Sequence, residues 1–278
     1  MADYGVGSNY PVQADIPARQ PDLPAGQRMP RQTGGLATAA LAALGFILKF
    51  KGLAATFIST AIAVWVYAQI FGLWVFALGF VVLILIHESG HLIVARMIGL
   101  PASLPIMIPG LGAFVSMKQQ PKSAAQEAQM AIGGPILGTV AAGICYLGYL
   151  AAPDTYWGRL LVGLAYFGFF INLFNLLPVT PLDGGRVLSV VSKWFNVAGL
   201  VIAAGLLLLT PFHSPLLLLI LIFGGFSTFQ RFRSTAENPA YYDVPANTKW
   251  TIGLVYLSLL VGLALGAAHT VHLLPQGV

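Results

Sequence analysis

Long apolar segments recur along most of this chain, and they restrict its possible folds more than any other feature of the sequence. Hydrophobic residues make up 57% of the 278 residues, and charged residues make up only 8%. Such a composition is typical of polytopic membrane proteins. We therefore predict an all-α polytopic membrane protein with about six to seven transmembrane helices.

Seven segments are apolar and close to the length of about 20 residues that a helix needs to cross a bilayer. They are Leu53–Phe71, Leu73–Ile98, Glu127–Leu150, Leu160–Leu177, Val197–Thr210, Pro215–Phe229 and Thr251–Thr270. The fifth and sixth are short, and residues 211–214 between them predict a tight helical hairpin. Leu36–Phe50 is shorter than a span and is interpreted as an interfacial or re-entrant helix.

The first 35 residues are polar, rich in Pro and Gly, and free of apolar periodicity. They predict a disordered arm, 1–35, in front of a membrane-embedded domain, 36–278. If the N-terminus is cytoplasmic, thirteen of the 14 Lys and Arg residues fall on the cytoplasmic side, and only Arg159 falls on the other. We predict an integral multi-pass protein of the cytoplasmic membrane. The basic residues are scattered singly, which argues against nucleic-acid binding.

The sequence His87-Glu88-Ser89-Gly90-His91 follows directly after the apolar run from Leu73 to Ile86. Residues i and i+4 share a helix face, so both imidazoles can bind one metal ion while Glu88 remains available as a base. Ionisable groups at bilayer depth cost roughly 2.5 kcal/mol or more each, which favours a functional interpretation. The predicted topology places His87 about 21 Å from the outer face of a hydrocarbon core about 30 Å thick.

Catalytic zinc usually has three protein ligands, so a third ligand must come from elsewhere in the chain. Asp183 lies at the cytoplasmic end of a span, in an apolar segment without other charges. The other acidic residues lie in the polar arm, in loops, on the opposite side of the membrane or at a helix start. His213 and His272 fall near the outer ends of spans, and His269 lies on the last helix, facing the wrong side. All three are interpreted as interfacial histidines. Asp183 is therefore the candidate third ligand.

The segment from Asn175 to Gly185 reads N-L-L-P-V-T-P-L-D-G-G. Together with the first motif, it resembles the site-2 protease family of intramembrane metalloproteases, which pairs H-E-x-x-H with a distal N-x-x-P-x-x-x-L-D-G element. The resemblance implies Zn²⁺ held by His87, His91 and Asp183, with Glu88 as the catalytic base. It also implies that Asn175 contacts substrate or the oxyanion, with an interhelical hydrogen bond as the alternative. Asn172 is interpreted as a packing residue.

Two further segments resemble that family. Residues 133–138 read G-G-P-I-L-G, and many relatives carry Asn at the position of Gly138; close helix packing through small residues is the simpler account here. Residues 101–122 contain Pro105, Pro109, Gly110 and Gly112 among apolar, β-favouring residues. They predict a short membrane-associated hairpin between the catalytic helix and the next span.

We expect an intramembrane zinc metalloprotease that hydrolyses peptide bonds in or near transmembrane segments. Its expected partners are membrane-protein substrates and the lipid bilayer, without nucleic acid. A membrane metal transporter and a proteolytically inactive membrane scaffold are the alternatives. A transporter would be expected to need polar steps along a continuous path, whereas the strong charges here cluster at one depth. The intact Glu88 disfavours an inactive scaffold.

Overall fold

The computed structural model describes residues 34–274 apart from 111, 116, 118 and 210–214, without the side chains of residues 34–50, 114 and 216. Contacts divide the chain into residues 1–47 and residues 48–278. In the first unit the described part is the start of one helix. The second unit contains the other helices, a hairpin of two strands and the candidate site.

Helix α1 runs from Gly34 to Phe71 as one helix of 38 residues. The separate interfacial or re-entrant helix predicted at Leu36–Phe50 is therefore wrong as a separate element. Gly52 does not interrupt α1, because a single glycine costs only about 1 kcal/mol in a helix interior. The part of α1 from Lys51 to Phe71 is long and apolar enough to cross a membrane. The predicted disordered arm lies outside the described residues, except for its last two residues, which begin α1.

The other helices follow α1 in chain order. They are α2 (Trp74–Met97), α3 (Ala124–Ala151), α4 (Tyr156–Asn175), α5 (Asp183–Val191), α6 (Trp194–Leu209), α7 (Pro215–Glu237), α8 (Pro239–Tyr242) and α9 (Ala246–Val271). Among the described residues, α2, α3, α4, α9 and the second half of α1 are long and apolar enough to span a membrane. The all-α polytopic class is confirmed, and the number of spans stays a prediction. Helices α6 and α7 pack together, and the predicted turn at 211–214 lies outside the described residues.

An antiparallel hairpin connects α2 with α3, as the sequence predicted. Its strands are β1 (Ile106–Ile108) and β2 (Gly112–Phe114). Gly110 and Gly112 have φ angles of 81° and 95°, a region that residues with a Cβ rarely adopt. The Tyr67 hydroxyl on α1 accepts a hydrogen bond from the Gly110 N–H at 3.0 Å. The hairpin is therefore attached to α1 by its turn.

Helices α2 and α3 cross closely where Gly90 meets Gly133. A Cβ atom built on either glycine would overlap the carbonyl group of the other. Larger side chains at these positions would push the two backbones apart, so small residues are required for this crossing. The result is that the H-E-x-x-H turn of α2 lies directly against the backbone of α3.

Candidate metal centre

Helices α2 and α5 bring the three predicted metal ligands together. The Asp183 Oδ2 atom lies 3.2 Å from His87 Nε2 and 3.2 Å from His91 Nε2. The two Nε2 atoms are 3.1 Å apart. Tetrahedral zinc with N and O ligands at about 2.0–2.1 Å would place its ligand atoms about 3.3–3.4 Å from one another. The observed spacing therefore fits one ion, and no second group of this kind occurs in the described part of the chain.

The outer nitrogens of both imidazoles have oxygen partners. His87 Nδ1 lies 2.8 Å from Asn172 Oδ1, and His91 Nδ1 lies 2.8 Å from the Met130 carbonyl oxygen. An Nδ1–H that donates to oxygen leaves Nε2 unprotonated, which is the form that binds a metal ion. The Gly134 N–H also approaches His91 Nδ1, but at 3.3 Å, so the shorter contact with Met130 decides the tautomer. Both imidazoles are thus oriented as ligands.

Asn172 orients the imidazole of His87, a role beyond the packing that the sequence predicted. Its side chain is 1% exposed, and its Nδ2 donates to the Gly168 carbonyl at 2.7 Å, which turns Oδ1 toward His87. Gly138 provides the space, because a Cβ atom there would overlap the Asn172 amide. The signal in the sequence was an amide inside an apolar helix, where a polar side chain needs a partner.

The segment between α4 and α5 presents Asp183. Two side chains from helices that are distant in the sequence hold the backbone of this segment in place. The Tyr256 hydroxyl of α9 donates to the Leu176 carbonyl at 2.6 Å, and Asn196 Oδ1 of α6 accepts from the Thr180 N–H at 3.0 Å. Asn196 is fully buried. The irregular backbone that follows α4 is buried in protein at Leu176, Val179 and Thr180, and Pro181 lines the cavity. Both surroundings are compatible with irregular backbone at membrane depth.

A cavity of about 720 Å³ adjoins the ligand group and is lined in part by Glu88, Asn175 and Ala113. The Glu88 carboxylate lies beside β2, with Oε1 4.0 Å from the position of a Cβ atom built on Gly112, so the hairpin lies beside the predicted base. Asn175 Nδ2 donates to Ile171 O of its own helix at 3.1 Å, and this bond is intrahelical, unlike the interhelical alternative. The structure thus brings all five predicted site residues to one cavity.

A second charged cluster lines the same cavity, and the sequence interpretation did not identify it. Glu127 of α3 lies 2.8 Å from Arg231 of α7 and 3.4 Å from Arg186 of α5. The Tyr241 hydroxyl donates to the Glu127 carboxylate at 3.1 Å. Burial, together with the negative charge of Glu127, raises the pKa of Tyr241 above its ordinary value. The phenol therefore remains a hydrogen-bond donor at neutral pH.

The remaining histidines do not join the metal-ligand group in the described part of the chain. His269 Nε2 lies 2.8 Å from the Tyr146 hydroxyl, in a pair between α9 and α3. His272 follows α9 and is exposed, and His213 lies outside the described residues. The interfacial interpretation of these histidines stays a prediction.

Comparison with known proteins gives three findings. The model of peptidase family M50 matches residues 75–156 and 150–212. The zinc metalloprotease MJ0392 of Methanocaldococcus jannaschii is 32% identical over 131 residues, which are 46% of this chain and 37% of that protein. The chain therefore matches well under half the length of that relative.

The third finding is the solved structure of a site-2 protease from Methanocaldococcus jannaschii. It covers 76% of this chain and 88% of its own, with 20% sequence identity and a TM-score of 0.41. The region that matches the M50 family model contains the H-E-x-x-H motif and Asp183 of the L-D-G motif. The chain thus belongs to the site-2 protease family, peptidase family M50.

Proposed function

We propose that this integral membrane protein is an intramembrane zinc metalloprotease that hydrolyses peptide bonds in or near transmembrane segments. One observation carries the proposal: His87, His91 and Asp183 converge within hydrogen-bond distance of one another, beside the Glu88 carboxylate, in one cavity. Two imidazoles, a carboxylate and a nearby unliganded glutamate are the donor set of zinc hydrolases. The name of the matched relative supports zinc as the ion.

Different residues of the chain hold the metal ion and transfer the proton. His87, His91 and Asp183 would hold the ion, which supplies Lewis-acid polarisation of the scissile carbonyl and makes water more acidic. Glu88 accepts a proton from the attacking water on its carboxylate and returns that proton to the leaving amine. Strand β2 lies beside the Glu88 carboxylate, and Ala113 lines the same cavity. Breaking the peptide bond then yields a new carboxylate and a new amine.

The substrate must expose a peptide bond to this cavity. A helix occupies its own backbone groups, so a transmembrane segment has to unwind locally before it can be cleaved. Asn175 lines the cavity and uses one hydrogen of its amide in the bond to Ile171. The second amide hydrogen and the carbonyl oxygen can bind the substrate backbone or the developing oxyanion. We therefore retain Asn175 as a proposed substrate-binding residue.

A reconstituted cleavage assay tests the proposed function. The purified full-length protein would be placed in lipid vesicles with single-span substrates that carry a helix-destabilising segment. We expect cleavage within or beside the apolar segment, complete loss of cleavage after chelation, and recovery with added zinc, because the buried ligand set requires the ion. Mass spectrometry of the fragments locates the cut. Zinc flux across the vesicles without any proteolysis would instead support the transporter alternative.

We also propose that the N-terminus lies in the cytoplasm and that the host membrane is the cytoplasmic membrane. The distribution of the basic residues supports this orientation, since thirteen of 14 fall on one side of the seven-span arrangement. A reporter fused before Met1 is expected to be cytoplasmic, and one fused after Val278 extracytoplasmic. Measured activities of paired reporters check both ends. Two ends on the same side would contradict an odd number of spans.

A further inference from the structure

The Glu127 cluster has more positive than negative charge. Arg231 contacts both oxygens of Glu127, with Nη2 at 2.8 Å from Oε1 and Nη1 at 3.3 Å from Oε2. This paired geometry satisfies the carboxylate and neutralises one arginine. Arg186 approaches the same Oε1 atom only through Nε, at 3.4 Å. Two guanidinium groups therefore share one carboxylate, which leaves this group of three residues with one positive charge in excess.

Arg186 is the more weakly paired of the two arginines. Across the described residues, its hydrogen bond to Glu127 uses Nε alone, so the four N–H groups on its two Nη atoms are available to a ligand. The Arg186 side chain is 23% exposed and lines the cavity. A guanidinium remains charged at any physiological pH, and removing it partly from water strengthens its attraction for an anion. Arg186 therefore offers the cavity a fixed cation with free donors.

Arg186 contributes little as a clamp between helices. Its 3.4 Å contact with Glu127 is long, whereas Arg231 and Tyr241 already connect Glu127 to α7 and α8 by shorter bonds. A purely structural role would favour the two-bond geometry that Arg231 adopts. The unused donors of Arg186 point instead to a ligand that binds during function.

Arg186 is also close to the metal ligands. It follows Asp183 by three residues on α5, and residues at this spacing are neighbours on a helix surface, about 5–6 Å apart at Cβ. Both residues line the same cavity. An extended peptide advances about 3.3 Å per residue. A substrate side chain within about three residues of the scissile bond is therefore within reach of the guanidinium.

We propose that Arg186 determines substrate specificity by binding the carboxylate of an Asp or Glu residue within about three positions of the scissile bond. The inference rests on the proposed function, because it needs a peptide in this cavity. The substrate carboxylate binds the Nη donors of Arg186, while Arg231 remains paired with Glu127. Binding is non-covalent, and the acidic side chain is unchanged by cleavage.

Matched substrates test this inference. Single-span substrates would carry Glu or Gln at each position of the helix-destabilising segment in turn, which covers the three positions on either side of any cleavage site. With zinc-loaded protein in lipid vesicles, we expect kcat/KM to be about tenfold or more higher for Glu than for Gln at one position, the size of a charge-assisted hydrogen bond. Arg186→Gln should reduce this ratio to about one, and Arg186→Lys should restore part of it. Arg233→Gln, on the exposed Arg233–Glu237 pair, is the matched control and should keep the full ratio.

A binding measurement separates this inference from the proposed function. The affinities of the Glu and Gln substrates would be measured on Glu88→Gln protein, with and without Arg186→Gln. Preference for Glu that depends on Arg186 supports the inference even if no substrate is cleaved, in which case only the proposed function fails. Equal affinity and equal cleavage of the two substrates at every position would overturn the inference. A Glu preference that survives Arg186→Gln would overturn it as well, because Arg186 would then be only structural.

Discussion

Replacing Glu88 by Gln is expected to lower kcat for peptide cleavage by about 10²–10⁴-fold, while the purified protein keeps its zinc. Glutamine has the size of glutamate, so the substitution preserves the packing of this side chain beside β2. Glutamine cannot take up a proton from water at neutral pH. The ligand atoms of His87, His91 and Asp183 are unchanged by this substitution. Loss of the base should thus stop proton transfer without emptying the site.

Two measurements check this prediction. Metal analysis of the purified variant gives the zinc content, and the vesicle assay gives the cleavage rate. Glu237→Gln is the matched control, since Glu237 forms an exposed ion pair with Arg233 on α7, and its replacement should change neither quantity. If Glu88→Gln lost zinc together with activity, Glu88 would be a ligand and not the base.

Replacing Asp183 by Ala is expected to remove zinc and activity together. The Asp183 Oδ2 atom is the only carboxylate oxygen in the described ligand group, and it lies 3.2 Å from both imidazoles. Loss of an outer partner of a metal ligand typically weakens binding by 10–100-fold, so loss of the ligand itself should exceed about 100-fold. Two neighbouring imidazoles would remain without the charge that neutralises the ion.

Zinc titration of the purified variant measures this loss of affinity, and the vesicle assay follows activity in parallel. Asp183→Asn provides a variant of nearly the same volume, which separates metal loss from disturbed packing at this buried position. Asp154→Ala removes an exposed carboxylate in the α3–α4 connection and should leave zinc affinity unchanged. Full zinc content and full activity in Asp183→Ala would show that another residue completes the site.

Local sequence features explain why the main elements could be predicted. A sufficiently long run of apolar residues predicts a membrane span. Two histidines at positions i and i+4 of a helix lie on the same face of that helix in any tertiary environment. The prolines and glycines of residues 101–122 likewise predicted a non-helical hairpin. The limits of α1 show where this reasoning fails. Lys49 and Lys51 interrupt the apolar sequence and suggest the end of a helix there. The backbone nevertheless continues as one helix through both residues.

The partners of the metal ligands could not be read from the sequence. Asn172 meets His87 across 85 positions of the chain, and Asn196 holds the Thr180 backbone from a different helix. Each depends on how two helices are rotated and spaced, and that geometry is set by packing among many residues. An asparagine in an apolar helix signals that a partner exists without identifying it.

The sequence by itself determined the membrane class, the two motifs, and the candidate ligands, because apolar run length, residue spacing along a helix and side-chain chemistry are local properties. Only the tertiary structure decided which side chains meet. The close crossing at Gly90 and Gly133 sets α2 against α3, and that contact aligns His91 with the Met130 carbonyl. The tertiary structure also showed that Arg186 and Arg231 share the single carboxylate of Glu127. Distances between residues far apart in the chain arise from helix packing, which local pattern does not specify.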